Sequence, residues 1–511
     1  MTPKLLPCTT VLTGTTMASS LHVSGWSAAI LVALVAATVS ATPLDDYVNM
    51  PDNHYEYTIL KEYRIPGEYT AYVVNMTSQK WLTYNDSDSA IWFHYLTITI
   101  PEHIVSPEHA FLFITGGSTK SSPPDPRTDK EILRTSNIAI GAGIVGATLR
   151  QVPNQPIVFK TDPLQMKRYE DEVIAFTWHH FLYNGTKEPN WLLRLPMTKA
   201  AVRAMDTISD VVYDVTPNQN ISKFIVAGES KRGWATWTTG AVDKRVVAIA
   251  PICLDLLNMA QNMHHHYRSL GGWTMEFNDY YAENITLFMD TPELSKMAAV
   301  VDAFAYKDRL TMPKFIVTAG SDEFFLPDDS YYYFNELTGP KYLSITPNDE
   351  HELRFHNLEL THQLTSFVRT VIRPTEWTAP TMTWKRYENS THGILEFLSD
   401  PVPLKVEVFR TLTNRGPRRD FRLAIADPPG TTNYSINVII YKKFPYRNPE
   451  PGKYIAEFLT PREGWQCFFI RAQYNTPGNT TITFTTEASI TPANKFAVPD
   501  CHGIGCKGIL V

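Results

Sequence analysis

The chain has 511 residues, 43% of them hydrophobic and 19% charged, with a formal net charge of −6. This is the composition of a globular protein, long enough for about two to four domains with large buried cores. So mild an acidity gives no electrostatic case for nucleic acid or an anionic membrane as partner.

The first predicted element is a leader. Ala28 to Val39 form an apolar run of twelve residues, short for a bilayer span, and Val39-Ser40-Ala41 places small residues where a signal peptidase reads. The expected signal peptide is residues 1–41, with a mature start near Thr42. Met1 and Met17 both stay open as the start, and so does an uncleaved anchor. No later segment approaches about 18 continuous apolar residues, so no membrane span is expected in the mature form. Secretion is supported by eight Asn-x-Ser/Thr sequons, at Asn75, Asn85, Asn184, Asn220, Asn284, Asn389, Asn433 and Asn479, each of which predicts a surface position in a secreted chain. Cys8 falls in the leader. Cys253, Cys467, Cys501 and Cys506 remain, an even number for an oxidising compartment. Cys501 and Cys506 are close enough for a small-loop disulfide, whereas Cys253 follows an apolar strand and reads as a buried thiol. None has metal-ligand spacing.

Residues 42–110 are read as β-rich, because EYTAYVVNMTSQKW and AIWFHYLTITIPE alternate apolar and polar side chains. FLFITGGS, Phe111 to Ser118, is a short apolar strand ending in two glycines, a turn where backbone N–H groups can converge on a ligand atom. Asn137 to Leu149 reads as a helix end feeding another strand. Asp171 to Tyr183 is aromatic-rich, and His179 and His180 within it read as packing or hydrogen-bonding residues. Val202, Met205, Ile208 and Val212 have helical spacing. Phe224 to Ala227 then form a strand that ends in Gly228-Glu229-Ser230, followed by a helix-compatible segment. A serine on a tight turn between strand and helix is a nucleophile elbow, although Arg232 stands where GxSxG has its second glycine and Gly233 comes one place later.

Val246 to Ala250 is another buried strand. Residues 255–305 read as a cap insertion lining a pocket. Its His264-His265-His266 is not read as a metal site, because adjacent side chains diverge. Phe315 to Ala319 and Tyr342 to Thr346 are strands that end at Asp322 and His351. Strands alternating with helices over residues 111–370 predict a mostly parallel sheet covered on both faces, within a domain of residues 42–375. Past Pro374 short alternating segments (ILEFL, LKVEVFRTL, INVIIYKK, CFFIRAQY, TITFTTEA) predict an antiparallel, β-sandwich-like domain over residues 376–495, followed by a tail at 496–511.

Catalytic groups of an open α/β sheet lie at the carboxyl ends of its strands. Ser230, Asp322 and His351 meet that demand, in the chain order of an α/β-hydrolase. His351 would take the proton from the Ser230 hydroxyl, and Asp322 would orient the imidazole. The N–H of Lys231, with that of Gly117 or Ser118, would receive an oxyanion. Asp328, Asp329 or Asp255 stay open as the acid, and His356 or His362 as the base.

Several segments resemble the PhoPQ-activated pathogenicity-related family, which includes secreted autocrine proliferation repressors of amoebae. They are SQKW (Ser78 to Trp81), ITGGS (Ile114 to Ser118), QVPNQP (Gln151 to Pro156), LRLPMTKAAVRAMD (Leu193 to Asp206), GESKRGWATW (Gly228 to Trp237), DEFFLPDD (Asp322 to Asp329) and the Pro347-Asn348…His351 turn. The resemblance covers roughly residues 45–490 and implies an α/β-hydrolase fold with a β-sandwich-like C-terminal part. It carries Ser230, Asp322 and His351 onto the family's triad positions, with Ser-Lys-Arg-Gly as the family's own elbow. Asn348-Asp349-Glu350 departs from the small residues expected before the histidine.

The sequence therefore predicts a secreted, glycosylated serine hydrolase acting on a peptide or ester substrate through an acyl-enzyme, with no cofactor and no metal. The alternative is a secreted signalling or binding protein, recognised by a cell-surface receptor, that uses the same scaffold without turnover.

Overall fold

A computed structural model of the chain describes residues 41–217, 219–414 and 416–511, and residues 41–511 form one compact unit. The expected signal peptide, with Cys8 and both candidate starts, lies outside the described residues. Among the described residues no helix is long and apolar enough to cross a membrane.

The central sheet is built from β1 (Glu56–Ile65), β2 (Tyr69–Lys80), β3 (Ile91–Pro101), β4 (His109–Ile114) and β5 (Val145–Leu149). A two-stranded ribbon, β6 (Ile157–Val158) with β7 (Lys167–Arg168), interrupts the series. It continues with β8 (Lys223–Glu229), β9 (Val246–Ile252), β10 (Lys314–Ala319) and β11 (Lys341–Thr346). The spatial order is β1-β2-β3-β5-β4-β8-β9-β10-β11. The run from β5 to β11 is parallel throughout. Each internal strand sends alternate residues to opposite faces, as a pleated strand must. In β8, Phe224 and Val226 enter one core cluster while Ile225 and Ala227 enter the other.

Helices cover both faces. On one side lie α1 (Pro43–Asn49), α3 (Glu170–Tyr183), α4 (Arg194–Val215) and α5 (Lys231–Val242), with Trp234 and Trp237 of α5 buried beside Phe224. On the other lie α2 (Lys130–Ala142) and α9 (Asn357–Ile372), whose Ile138, Leu364 and Phe367 pack against Phe111, Ile225 and Phe315. Between β9 and β10 stand α6 (Met259–Leu270), α7 (Asn278–Ala282), α8 (Pro292–Val301) and short 3-10 turns, in the stretch expected to be a cap. Six consecutive parallel strands between two helical layers, with a tight serine turn after β8, are the α/β-hydrolase fold.

Some of the C-terminal strands extend the central sheet. Thr480–Thr485 pairs antiparallel with β11 at Leu343 and passes the central sheet on to Gln466–Thr476, Lys405–Leu412 and Lys442–Phe444. A four-stranded antiparallel sheet, ordered Thr381–Glu388, His392–Asp400, Lys453–Leu459, Arg447–Glu450, packs on that extension. Phe397 and Phe458 of this sheet share one core cluster with Phe468, Phe484 and Phe367. The arrangement is sandwich-like, and its core is continuous with that of the parallel sheet. The strand expected at INVIIYKK is also interrupted: regular pairing is confined to Tyr434–Ile436 and Lys442–Phe444. At Tyr441 the backbone N–H donates to Asn348 Oδ1 and the carbonyl accepts from Asn348 Nδ2 (2.7 and 2.9 Å), so this stretch is held by a side chain.

Cys501 and Cys506 form a disulfide in the tail, and Cys253 and Cys467 are buried thiols.

Candidate active site

The turn after β8 carries Ser230 at φ 55°, ψ −127°, a backbone conformation that side chains rarely adopt and that concentrates at functional sites. Its N–H donates to Ile252 O (2.8 Å), which fixes the turn on the next strand. A Cβ on Gly233 would fall 3.0 Å from the carbonyl oxygens of Gly228 and Ile252, so the glycine lets α5 lie close against β8 and β9. The glycine displaced by one place from GxSxG thus serves helix packing.

The ends of β10 and β11 complete a chain of hydrogen bonds. His351 Nε2 lies 2.8 Å from Ser230 Oγ, and His351 Nδ1 lies 2.9 Å from each carboxylate oxygen of Asp322. Asp322 is buried and accepts from the N–H groups of Phe324 and Phe325 (2.8 and 3.2 Å). With Asp322 on Nδ1, the tautomer that leaves Nε2 free to accept from the serine is favoured. Burial opposes a charge on His351, but Asp322 outweighs it by charge and hydrogen bond, raising the imidazole above its ordinary value. The N–H of His351 donates to Glu323 Oε2 (3.0 Å), and burial pushes the Glu323 carboxyl up to about 7.

Lys231 opens α5, so its N–H is one of the donors a helix leaves unbonded at its start. The Gly116-Gly117-Ser118 turn follows β4, which runs beside β8 with Ile114 opposite Gly228. Gln151 engages the carbonyls of Gly116 (through its N–H, 3.0 Å) and Ser118 (through Nε2, 3.3 Å), fixing the peptide planes of this turn. The N–H groups of Gly117 and Ser118 have no partner among the described residues.

Several supporting residues were not legible in the sequence. Arg232 donates through Nε to Val152 O and through a terminal nitrogen to Glu170 Oε1, both at 2.6 Å. Lys231 Nζ pairs with Glu170 (3.0 Å) and Asp171 (2.7 Å). Burial opposes the charge on Glu170, but Arg232 and Lys231 outweigh it and hold the carboxyl well below the usual range. Beneath the elbow, buried Arg194 donates to Lys231 O (2.6 Å) and stacks on Trp234. The three polar residues before His351 face away from Ser230. Asn348 ties down Tyr441, Asp349 accepts from Phe355 N–H and faces His356 Nδ1 (2.8 Å), and Glu350 accepts from the N–H groups of Glu352 and Arg354.

The other candidates stand elsewhere. Asp255 accepts from Tyr333 OH, Asp328 pairs with Arg419 and His265, and Asp329 accepts from Leu326 N–H. His362 is exposed on α9. The adjacent histidines take separate partners: His264 faces Asp500 and Asp290, His265 faces Asp328, and His266 accepts from Thr274 N–H. His179 and His180 engage Glu283 and Glu188. Six sequon asparagines are exposed, whereas Asn75, within β2, and Asn284, bonded to Lys507 Nζ, are half-buried.

Ser230 opens onto a small cavity of about 40 Å³, walled by apolar side chains that include Trp178, Trp234, Leu254, Phe277 and Phe325. Trp178 comes from α3, Phe277 from the insertion between β9 and β10, and Phe325 from the loop after Asp322.

The family profile described as PhoPQ-activated pathogenicity-related protein matches residues 44–422. The chain belongs to this family. It is similar to autocrine proliferation repressor protein A of Dictyostelium discoideum, 36% identical over 477 residues that cover 91% of this chain and 93% of that protein. Among solved structures, an acetyl xylan esterase from Paenibacillus sp. R4 aligns with a TM-score of 0.43 at 14% identity, over 63% of this chain and 91% of that one. Acetyl xylan esterase 1 from Thermoanaerobacterium sp. JW/SL YS485 aligns with a TM-score of 0.42 at 12% identity, over 64% and 93%. The family membership rests on the profile and the amoebal relative, and the fold on the sheet order and the serine turn.

Proposed function

We propose that this family member is a serine hydrolase that cleaves esters of short acyl groups through an acyl-enzyme. The observation that carries the reading is the Ser230–His351–Asp322 chain, with 2.8 Å between the hydroxyl and the imidazole. In the first step Ser230 Oγ attacks the acyl carbon while its proton passes to His351 Nε2, and Asp322 stabilises the imidazolium. The N–H groups of Lys231 and of Gly117 or Ser118 receive the charge on the acyl oxygen. His351 then protonates the leaving alcohol, and water, activated by the same imidazole, releases the acid.

The cavity beside Ser230 limits the acyl group. At about 40 Å³ it has room for only a few water-sized groups, so acetyl to butyryl chains fit and long chains do not. The test is hydrolysis of p-nitrophenyl esters of increasing chain length. We expect kcat/KM to be highest at two to four carbons and to fall at least about tenfold by eight, the scale of a mismatched pocket. A flat profile, or preference for long chains, would contradict the assignment.

Secretion and N-glycosylation belong to the same proposal. Asn85, Asn184, Asn220, Asn389, Asn433 and Asn479 are exposed, which an attached glycan needs. Loss of mass on endoglycosidase treatment of the protein from culture medium is the expected outcome.

A second reading draws on the amoebal relative, whose name describes a repressor of proliferation and whose length the match nearly spans. Under it the chain signals through its surface and needs no turnover. Full retention of growth repression by Ser230→Ala would favour this reading over the first.

A further inference from the structure

A second, roomier cavity lies away from Ser230. Its volume is about 1080 Å³, at the upper end for ligand sites, and none of the three residues of the hydrogen-bonded chain lines it. Its walls come from α6, from the loop that continues past Asp322, and from the C-terminal strands. Two features define what it can hold.

The first is charge. Of the guanidinium groups in the wall, Arg386 is neutralised by Glu487 (3.3 Å) and Arg419 by Asp328 (2.7 Å). Arg268 has no carboxylate partner among the described residues. It donates from one terminal nitrogen to Tyr332 OH (2.8 Å) and lies over the Phe496 ring at 4.0 Å. Its Nε is buried without a partner, and its other terminal nitrogen makes no hydrogen bond and is not enclosed. Lys341 also lacks a carboxylate, its ammonium donating to the carbonyls of Asn335 and Leu337. A half-buried guanidinium without a counter-charge is costly, and an anion from a ligand offsets that cost. Buried Arg419 and His265 add further orphaned nitrogens (Nε and Nδ1) to the same wall.

The second is the presence of both rings and neutral hydrogen-bonding groups in one wall. Tyr331, Tyr332 and Trp384 line the cavity, Arg386 lying over the Tyr331 ring at 4.7 Å, and so do Asn335, Asn494 and Ser489. Flat rings pack the C–H faces of a sugar while amides and hydroxyls meet its hydroxyl groups. No glycine lines the cavity, so it lacks the glycine-rich turn with which backbone N–H groups cradle a nucleotide's phosphates.

We propose that this cavity binds an anionic oligosaccharide, with a carboxylate or sulfate on the Arg268 guanidinium and sugar rings against Trp384 and Tyr331. The site is separate from the proposed esterase centre and does not depend on it.

The test is calorimetric titration of the full chain with trigalacturonate, a sulfated disaccharide, neutral maltotriose and inorganic sulfate. Binding of trigalacturonate identifies a carboxylate ligand, and binding of the disaccharide alone a sulfated one. We expect Arg268→Gln to weaken that binding about tenfold or more, the scale of a charged hydrogen bond. Tyr331, 58% exposed, can be changed to alanine without disturbing a core, and Tyr331→Ala should weaken it severalfold. Ser230→Ala should bind as the wild type does. No binding of either anionic sugar at millimolar concentration would overturn the proposal. So would equal binding of maltotriose, binding of sulfate as tight as that of the sugars, or unchanged affinity in Arg268→Gln.

Discussion

Arg232 lies so close over Gly116 that a Cβ on the glycine would fall 2.5 Å from its guanidinium. The residue that spoils the GxSxG pattern therefore joins the helix behind Ser230 to the turn that offers the second set of N–H donors. Its other bonds, to Val152 O and Glu170, extend the same tie to the segment after β5 and to the start of α3.

Arg232→Gly restores the GxSxG pattern but removes this tie. We expect a loss of about 1–3 kcal/mol, the cost of leaving hydrogen-bonded partners unsatisfied, read as a lower denaturant midpoint at unchanged m-value. Arg232→Lys should recover little, because an ammonium does not reproduce the fork that reaches two acceptors. Ester hydrolysis should fall in both variants.

Asp322→Asn keeps the size of the side chain but removes the charge that stabilises the imidazolium. A fall in kcat of about 10⁴ is the expected scale for the third member of such a triad. The pH profile separates this from a folding defect. Under the proposed mechanism the wild type needs neutral His351, whose value is raised, so activity should climb with pH through a midpoint above the ordinary imidazole value of about 6.5. Burial alone acts on His351 in the opposite direction, so in Asp322→Asn the residual activity should have its midpoint at lower pH.

Asp255 is buried, and desolvation raises its carboxyl far above its ordinary value while Tyr333 OH donates to it. A raised folded-state value means that its contribution to stability is fully present below about pH 3.9, the unfolded value, and is lost as pH rises through the folded value. Asp255→Asn mimics the neutral form and still accepts from Tyr333. Its melting temperature should exceed that of the wild type increasingly from about pH 5 to pH 8, with the gap closing in acid.

Removing the Cys501–Cys506 bond frees a loop spanning a sequence separation of 5. The chain-entropy relation gives about 2 kcal/mol for so short a loop. The tail packs on Trp273, whose indole Nε1 donates to Cys506 O (2.9 Å), so the double Cys→Ser variant should gain amide exchange first at Trp273 and residues 501–511.

Local pattern revealed much of this molecule. Short continuous apolar runs mark β4, β8, β10 and β11, and the carboxyl ends of β8, β10 and β11 place Ser230, Asp322 and His351 on one edge of the sheet. What local pattern does not carry is pairing between distant segments. Nothing in the alternation of Thr480–Thr485 says that it pairs with β11 rather than starting a separate sheet. Arg232 reads as a defect until Val152 and Glu170 are found beside it. Asn348 reads as a departure from small residues until Tyr441 is found on its amide. Nor is the capping box of α1, in which Thr42 and Asp45 bond each other's backbone, part of the expected pattern, since it falls at the expected leader boundary in a stretch read as β-rich.

The measurement that bears most directly on the central claim is labelling by a fluorophosphonate probe of the folded wild-type protein and of Ser230→Ala. Labelling of the wild type with a rate that rises with pH through the His351 midpoint, and none in Ser230→Ala, is the expected result. A folded wild-type protein that does not label, or a Ser230→Ala variant that labels equally, would contradict the account.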